Sequence, residues 1–339
     1  MKVLSNEMPK VSVVVPIFNV APYIEDCAES LFKQTLSNIE YIFIDDASTD
    51  NSIEILKKII DRYPERKNYI KIISHESNKG ISFTREEGVK LATADWIIHC
   101  DSDDTIQPEM YETLLKETVK GFDIIICSYT FFDEKSFKIY SNQEFGEFYG
   151  WEGISLLSEV NKRSLHGALW NKLIRKELYE GIDFPKDISY WEDVVVLLKI
   201  FSRHPNLRIQ TLALPLYNYR RRPNSLISQK EEKRKEELVN LIAILEEIRN
   251  KYEYDYSKNI DSRIVTIIYK LLLLTRAPKY ISTNYKKYKK SIKINKSLNY
   301  FKKIHLMSAL NGNFFMSNLI GFLNYFGKYS LNKLNTMFK

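Results

Sequence analysis

Trp96-Ile97-Ile98-His99-Cys100-Asp101-Ser102-Asp103-Asp104 is the stretch on which the fold turns. A mostly apolar run passes straight into three carboxylates within four positions. That pattern suits a buried parallel strand whose C-terminal end opens into a loop. Open α/β sheets bind their ligands at that end. Hard divalent cations take oxygen ligands, one or two carboxylates together with substrate phosphates. Asp101-x-Asp103 therefore reads as a platform for a metal and a diphosphate. The competing reading is an Asp-rich turn capping the helix that starts near Pro108. This stretch alone leaves the two level.

Outward from it, apolar strands and amphipathic helices alternate. Val11–Pro16 is a β-branched strand ended by Pro, Ile39–Ile44 is a second that runs into Asp45 and Asp46, and Tyr69–Ser74 is a third. Pro22 suits the first turn of a helix with Ile24, Ala28, Leu31 and Thr35 at helical spacing. Ser48-Thr49-Asp50 caps a helix with Ile53, Leu56, Ile59 and Ile60 on one face. Asn78-Lys79-Gly80 turns the chain into a helix holding Arg85, and Phe122–Ser128 closes the alternation. This order predicts a mostly parallel, doubly wound, Rossmann-like α/β sheet. No Gly-x-Gly-x-x-Gly follows strand one and no phosphate-loop Gly-Lys-Ser/Thr occurs, so dinucleotide oxidoreductases and P-loop ATPases lose their main support. Acid stands at two strand ends instead, Asp45/Asp46 and Asp101/Asp103, expected to face one crevice.

The 339 residues have room for one large domain or two ordinary ones, in a globular composition. The polar N-terminus shows no signal-peptide pattern. Cys27, Cys100 and Cys127 form no Cys-x-x-Cys pair and read as small buried residues of a reduced compartment. The expected location is the cytoplasm, with no zinc site and no disulfide framework. The net charge of +7 hides a division. Residues 262–339 carry fifteen Lys or Arg and no Asp or Glu, whereas residues 1–261 carry thirty-five basic and forty-three acidic residues. An acidic body with a basic tail points to an anionic target, a membrane surface or a nucleic acid.

Val-Pro-Ile-Phe-Asn at 15–19, Gln34-Thr35, Ser48-x-Asp50, Asn78-x-Gly80 with Arg85, and Asp101-Ser102-Asp103-Asp104 together resemble the N-terminal domain of glycosyltransferase family 2, which has the GT-A fold. The resemblance is dense over about 9–130 and sparser to about 228. It implies a GT-A domain at 1–228, with a nucleotide-sugar half (9–130) and an acceptor half (131–228), before a helical, basic region at 229–339. Residue by residue, it implies that Pro16 and Phe18 line the nucleotide pocket and that Asp46 accepts a hydrogen bond from the base. Arg85 and Ser102 would belong to the donor site. Asp103 would bind Mn²⁺ or Mg²⁺, with Asp101 close to the ribose or to the metal's waters. A helix-surface arginine is the rival reading for Arg85, and Asp45 is expected at the surface.

Trp170-Asn171-Lys172-Leu173 resembles a Trp-Asn-Lys segment common in bacterial members, which implies acceptor contacts from Trp170, Asn171 and Lys172. A packed Trp beside a capping Asn is the equal alternative. Tyr190-Trp191-Glu192-Asp193 resembles the family's Glu-Asp motif at a helix start. It implies Asp193 as catalytic base, with Glu192 and Trp191 binding the acceptor. Acids complementing a helix N-terminus explain the pair otherwise. The chemistry needs such a group, because a sugar hydroxyl must lose its proton as it attacks the anomeric carbon. The metal neutralises charge on the departing nucleoside diphosphate. Single displacement inverts the centre, as the family does. In Tyr217-Asn218-Tyr219-Arg220-Arg221-Arg222-Pro223-Asn224-Ser225 the resemblance implies that Arg220 and Ser225 close over the diphosphate. Which arginine points inward stays open.

In the C-terminal third, Glu231–Tyr252 sets Leu238, Leu241, Ile242, Leu245 and Ile248 on one helical stripe. Ile264–Leu274 reads as a helix apolar around most of its circumference, too short to span a bilayer. Lys286-Lys287-Tyr288-Lys289-Lys290 opens a basic stretch. Beyond it, Phe315, Leu319, Phe322, Leu323 and Phe326 fall on one helix face, the pattern of an interfacial anchor on an anionic membrane. A helical hairpin closing the core is the alternative.

The reading is an inverting, metal-dependent glycosyltransferase, peripheral on the cytoplasmic membrane face. It would move a sugar from a nucleotide donor, a UDP-sugar, to a saccharide acceptor, lipid-linked, in bacterial surface-polysaccharide synthesis. A processive polymerase is disfavoured by a single Asp-x-Asp and the lack of Gln-x-x-Arg-Trp. A catalytically silent nucleotide-sugar-binding scaffold is the alternative from another class. No recognition motif supports nucleic-acid binding.

Overall fold

The computed structural model describes residues 8–133, 136–140, 146–158, 165–221, 231–251, 257–295 and 298–321. Two compact units emerge, one of residues 1–157 with 162–228 and one of 158–161 with 229–339.

The first unit is built on one mixed sheet of β1 (Val11–Ile17), β2 (Ile39–Asp45), β3 (Ile70–Ser74), β4 (Trp96–His99), β5 (Thr105–Ile106), β6 (Ile124–Asp133), β7 (Ser136–Tyr140), β8 (Gly146–Tyr149), β9 (Lys172–Arg175) and β10 (Arg208–Arg220). The spatial order is β3-β2-β1-β4-β9-β6-β10-β5, with β7 on β6 and β8 on β10. The first four strands are parallel, Val14 facing Ile42 on one side and His99 on the other. Every residue of β1, β2 and β4 is buried. That is the condition of parallel strands covered on both faces, and it is why these runs read so clearly in the sequence. Glu40, within β2, accepts from Ser12 Oγ (2.5 Å), Lys71 Nζ (2.7 Å) and Thr93 N (2.8 Å).

The helices of this unit are α1 (Ile24–Phe32), α2 (Ser52–Ile60), α3 (Ile81–Leu91), α4 (Met110–Thr118), α5 (Gly150–Ser158) and α6 (Glu192–Arg203). Pro22 lies in the turn before α1 rather than in its first turn. α3 lies so close to β1 that a Cβ at Gly88 would stand 2.2 Å from Val14 Cγ1. The α/β class expected from the alternation is the fold observed, but the parallel order stops at β4. β9 lies antiparallel between β4 and β6, and β5, β7 and β8 pair antiparallel with β10 or β6. β7 follows its partner β6 by a short connection, whereas β5, β8 and β9 reach their antiparallel partners across long stretches of chain. β10 runs parallel to β6, with register shifts around Leu212–Pro215 and Pro215–Tyr217.

The second unit is helical: α7 (Glu231–Lys251), α8 (Ser257–Thr275), α9 (Pro278–Tyr285), α10 (Lys289–Ile294) and α11 (Tyr300–Leu310). The α7 stripe Leu238, Leu241, Ile242, Leu245 and Ile248 is buried, as are Ile264, Val265, Ile267, Ile268, Leu271 and Leu272 of α8. No described helix is long and apolar enough to cross a membrane. After α11 the chain breaks at Asn311-Gly312-Asn313, where Gly312 takes φ +79°, and a further helix covers 314–321. Of the aromatic face expected beyond Phe315, Phe322, Leu323 and Phe326 lie outside the described residues.

Candidate active site

The site begins where β4 ends. Cys100 N donates to Val14 O, and Asp104 N donates to Asp101 O at 3.1 Å, which folds Asp101-Ser102-Asp103-Asp104 into a tight turn. Asp104 is the buried member. Its Oδ2 accepts from Tyr217 OH (2.7 Å) and its Oδ1 from Arg220 N (2.7 Å). Burial, then the neighbouring charges of Asp103 and Asp101, pushes its carboxyl well above the usual range. The Tyr217 hydroxyl also accepts from Asp101 N at 3.2 Å. Tyr217 and Asp104 thus fasten the turn, while Asp101 and Asp103 stay partly exposed and Ser102 is buried. Beneath the turn, the Cys27 and Cys100 thiols both reach Asp101 O, at 3.7 and 3.6 Å, and all three cysteines are free and buried.

Arg85 joins this turn to α6. Its Nη2 donates to Asp101 Oδ1 at 2.7 Å and its Nη1 donates to Glu192 Oε1. The residue is buried, which rules out a surface arginine, and its Nε has no hydrogen-bond partner among the described residues. Against the pull of burial, the carboxylates of Asp101, Glu192 and Asp193 raise its pKa further. Glu192 is buried as well; burial and the charge of Asp193 push it up to about 8, against the opposing guanidinium. Asp193 is partly exposed, and its Oδ1 accepts from Val194 N at 2.7 Å. Burial raises its carboxyl, while Arg85, the Val194 N–H and Lys172 pull it back. Both acids sit in the first turn of α6, where helix N–H groups favour anions. Trp191, just before them, is held at φ +71°. A bulky residue keeps that conformation only where its surroundings impose it.

Strand ends on the other side shape the cleft. Pro16 is buried and Phe18 is 47 % exposed. The loop carrying Phe18 is laced to the loop after β2: Asn19 N donates to Ser48 Oγ (3.1 Å), Val20 N to Ser52 Oγ (2.9 Å) and Ala21 N to Asp50 Oδ2 (2.9 Å). Asp50 therefore ties two loops together as well as capping α2 through Ser52 N at 3.0 Å.

Several expectations change. Asp46 is buried and its oxygens are engaged: Oδ1 accepts from Lys79 N (2.7 Å) and pairs with His75 Nδ1 (2.8 Å), and Oδ2 accepts from Gly80 N (2.8 Å). It anchors the turn into α3, where Gly80 takes φ +88°. His75 is held by Glu87 on its other nitrogen; despite burial, Asp46 and Glu87 raise its pKa. Asp45, expected at the surface, is buried and accepts from Ser48 N at 3.0 Å. Asp45 at the end of β2 and Asp46 just after it thus both brace the loops around them.

Trp170, Asn171 and Lys172 are buried, so direct acceptor contact is replaced by support from below. Trp170 stacks on Tyr217 with centroids 4.1 Å apart and so backs the Asp101 turn. Asn171 Nδ2 donates to Cys127 O at 2.8 Å. Lys172 Nζ donates to His166 O (2.7 Å), Ala168 O (2.5 Å) and Asn171 Oδ1 (2.8 Å). Arg220 lies beside the turn, Nε to Asp103 O (3.0 Å) and Nη2 to Asp26 Oδ2 (2.8 Å). Ser225 and Arg222 lie outside the described residues. Sequence reasoning passed over Tyr217 as an anchor, although it opens the segment singled out for its arginines. The Arg85 bridge had no sequence signal beyond the residue types.

As a cation site, Asp101 and Asp103 give two hard carboxylates, one of them shared with Arg85. The described residues hold no group of three His, Cys, Asp or Glu able to bind a metal unaided. A pair of this kind fits Mg²⁺ or Mn²⁺, which keeps waters and takes further oxygens from substrate phosphates.

The sequence model described as Glycosyl transferase family 2 matches residues 12–182. The putative glycosyltransferase EpsH of Bacillus subtilis (strain 168) is 30% identical over 269 residues, spanning 76% of this chain and 75% of that protein. Among solved structures, S. aureus TarS 1–349 in complex with UDP-GlcNAc superposes with a TM-score of 0.70 at 18% identity, over 94% of this chain and 92% of that one. The mannosyltransferase PcManGT from Pyrobaculum calidifontis, in complex with GDP-Man and Mn²⁺, gives 0.56 at 13% identity, over 93% and 87%. At these identities the two structures speak for the fold.

Proposed function

The chain belongs to glycosyltransferase family 2 and is a glycosyltransferase using a nucleotide-sugar; on that premise we propose that it inverts the anomeric centre with Asp193 as base and a divalent cation at the Asp101 turn. The donor is a UDP-sugar, the class held by S. aureus TarS. The acceptor is a saccharide, lipid-linked, of a bacterial surface polysaccharide. The second unit works against the anionic inner face of the membrane.

One observation carries this reading: Arg85 bridges Asp101 at the end of β4 to Glu192 at the start of α6. A donor-side acid and the acceptor-side acids are thereby drawn to one place. Asp193 suits the base, being the more exposed acid and the one not bonded to Arg85. It takes the proton of the acceptor hydroxyl while that oxygen bonds to the anomeric carbon. The bond from that carbon to the diphosphate oxygen breaks on the opposite face, and the nucleoside diphosphate leaves with the electron pair. Asp103, with Asp101 beside it, would hold Mn²⁺ or Mg²⁺, which when bound neutralises charge on that diphosphate. PcManGT holds Mn²⁺ with GDP-Man. Phe18 and Pro16 cover the base and Ser102 supports the donor loop. Trp191 with Glu192 borders the acceptor, and Arg220 lies on the diphosphate side.

The test is Asp193→Asn. Transfer should fall by about 10²–10⁴, while a UDP-sugar with Mn²⁺ should raise the melting temperature of the variant as much as that of the wild type. A variant that transfers normally removes Asp193 from the base role. Asp103→Ala should abolish the metal-dependent part of the thermal shift.

A further inference from the structure

Among its described residues the second unit carries an exposed apolar surface. At the end of α10, Ile294 is 64% exposed, and at the start of α11, Tyr300 and Phe301 are 73% and 70% exposed. Lys303 Nζ donates to Lys293 O at 3.0 Å, which brings the two helix ends together into one corner. Single exposed apolar residues are ordinary, but adjoining ones of this size mark an interaction site. Around them Lys290, Lys293 and Lys302 are exposed and form no ion pair with any described residue. The nearest acids are already engaged, Glu246 by Tyr288 and Lys287, and Asp261 by Arg249 and Ser291. From residue 262 onward the sequence supplies no carboxylate at all.

We propose that this corner is the surface by which the second unit meets an anionic lipid bilayer. Ile294, Tyr300 and Phe301 enter the interface, and Lys290, Lys293 and Lys302 face the lipid phosphates. Aromatic rings settle at the headgroup level, and lysines keep their ammonium groups in the charged layer above. Cation and apolar residues act together here, because neither alone makes a stable anchor. The proposal rests on the reading that the enzyme works at the membrane's inner face and adds where that contact is made.

The experiment is flotation of the full-length protein with vesicles of phosphatidylcholine alone and of phosphatidylcholine with phosphatidylglycerol. The wild type should float only with the anionic vesicles and should be released by high salt. Replacing Lys290, Lys293 and Lys302 by Gln should weaken partition about fivefold per lysine. Tyr300→Ser with Phe301→Ser should weaken it at least as much, without loss of helical circular dichroism or of donor-induced thermal stabilisation. Three results overturn the proposal. Wild-type flotation unchanged in both variants would leave the membrane reading standing and place the contact elsewhere. No flotation of the wild type would remove the membrane reading itself. If the same substitutions instead abolish a concentration-dependent dimer, the corner belongs to a second copy of the chain.

Discussion

Lys172 places an ammonium group in the core among neutral oxygens, with three acceptors in hydrogen-bond reach. Burial pulls its pKa down to about 7, against the opposing fields of Asp193 and Cys127. In the unfolded chain the group would titrate near the ordinary lysine value of about 10.4. Between those two values the unfolded state binds more protons than the folded one, so stability attributable to this group rises with pH across that window. Urea unfolding at pH 7 and pH 9 should show the wild type gaining on Lys172→Met as pH rises, with the two curves parallel if the lysine plays no part. At Asp193 the shift is upward and bears on activity. Its carboxyl is raised by burial, so the acid limb of the transfer rate should lie above the ordinary aspartate range. Asp193→Glu would move that limb if Asp193 is the group observed. Residue types were legible at this scale, and their partners were not. Asp46 has the position of a ligand-binding acid, yet the Lys79 and Gly80 N–H groups are its neighbours only because α3 packs back on β1.

Helix ends show how an element is finished by a distant residue. The last carbonyl of α1 has no intrahelical donor, and Arg66, beyond α2, supplies it together with three carbonyls of the loop that follows. Its guanidinium donates to Phe32 O (3.2 Å), Gln34 O (2.6 Å), Leu36 O (2.9 Å) and Ser37 O (2.7 Å). Arg66→Met takes this donor from the buried Phe32 and Gln34 carbonyls and should cost roughly 3 kcal/mol of unfolding free energy by urea titration, with donor binding retained. Nothing in the local sequence announces this arginine as a cap, because its target is some thirty residues away along the chain. Elements defined by burial were legible for the converse reason. β1, β2 and β4 are buried along their whole length, so each residue signals its environment. β9 is four residues long and β5 two. Runs so short carry too little periodicity to separate a strand from a loop.

Across the whole molecule, the family resemblance implies a division at residue 130 into a donor half and an acceptor half, whereas the sheet runs across it. β9, from the acceptor half, pairs Ile174 with both Ile97 of β4 and Ile124 of β6. A fragment ending at residue 130 would expose the apolar edge of β4, and unpaired edges of that kind recruit other chains. It should elute as soluble aggregate in size-exclusion chromatography, and a monomeric, nucleotide-responsive fragment would contradict the topology. The connectivity of β9 was illegible in the sequence because the pairing that defines it spans some eighty residues and depends on a chain reversal no short motif encodes. For enzyme engineering this sets the rules of exchange. Specificity for a new acceptor cannot be grafted as a cassette from residue 131 onward, since the transplant would bring with it the middle strand of the recipient's own sheet. Recombinants should be chosen first for how well the incoming strand fits Trp96, Ile97 and Ile124, and only then for the sugar they are meant to accept.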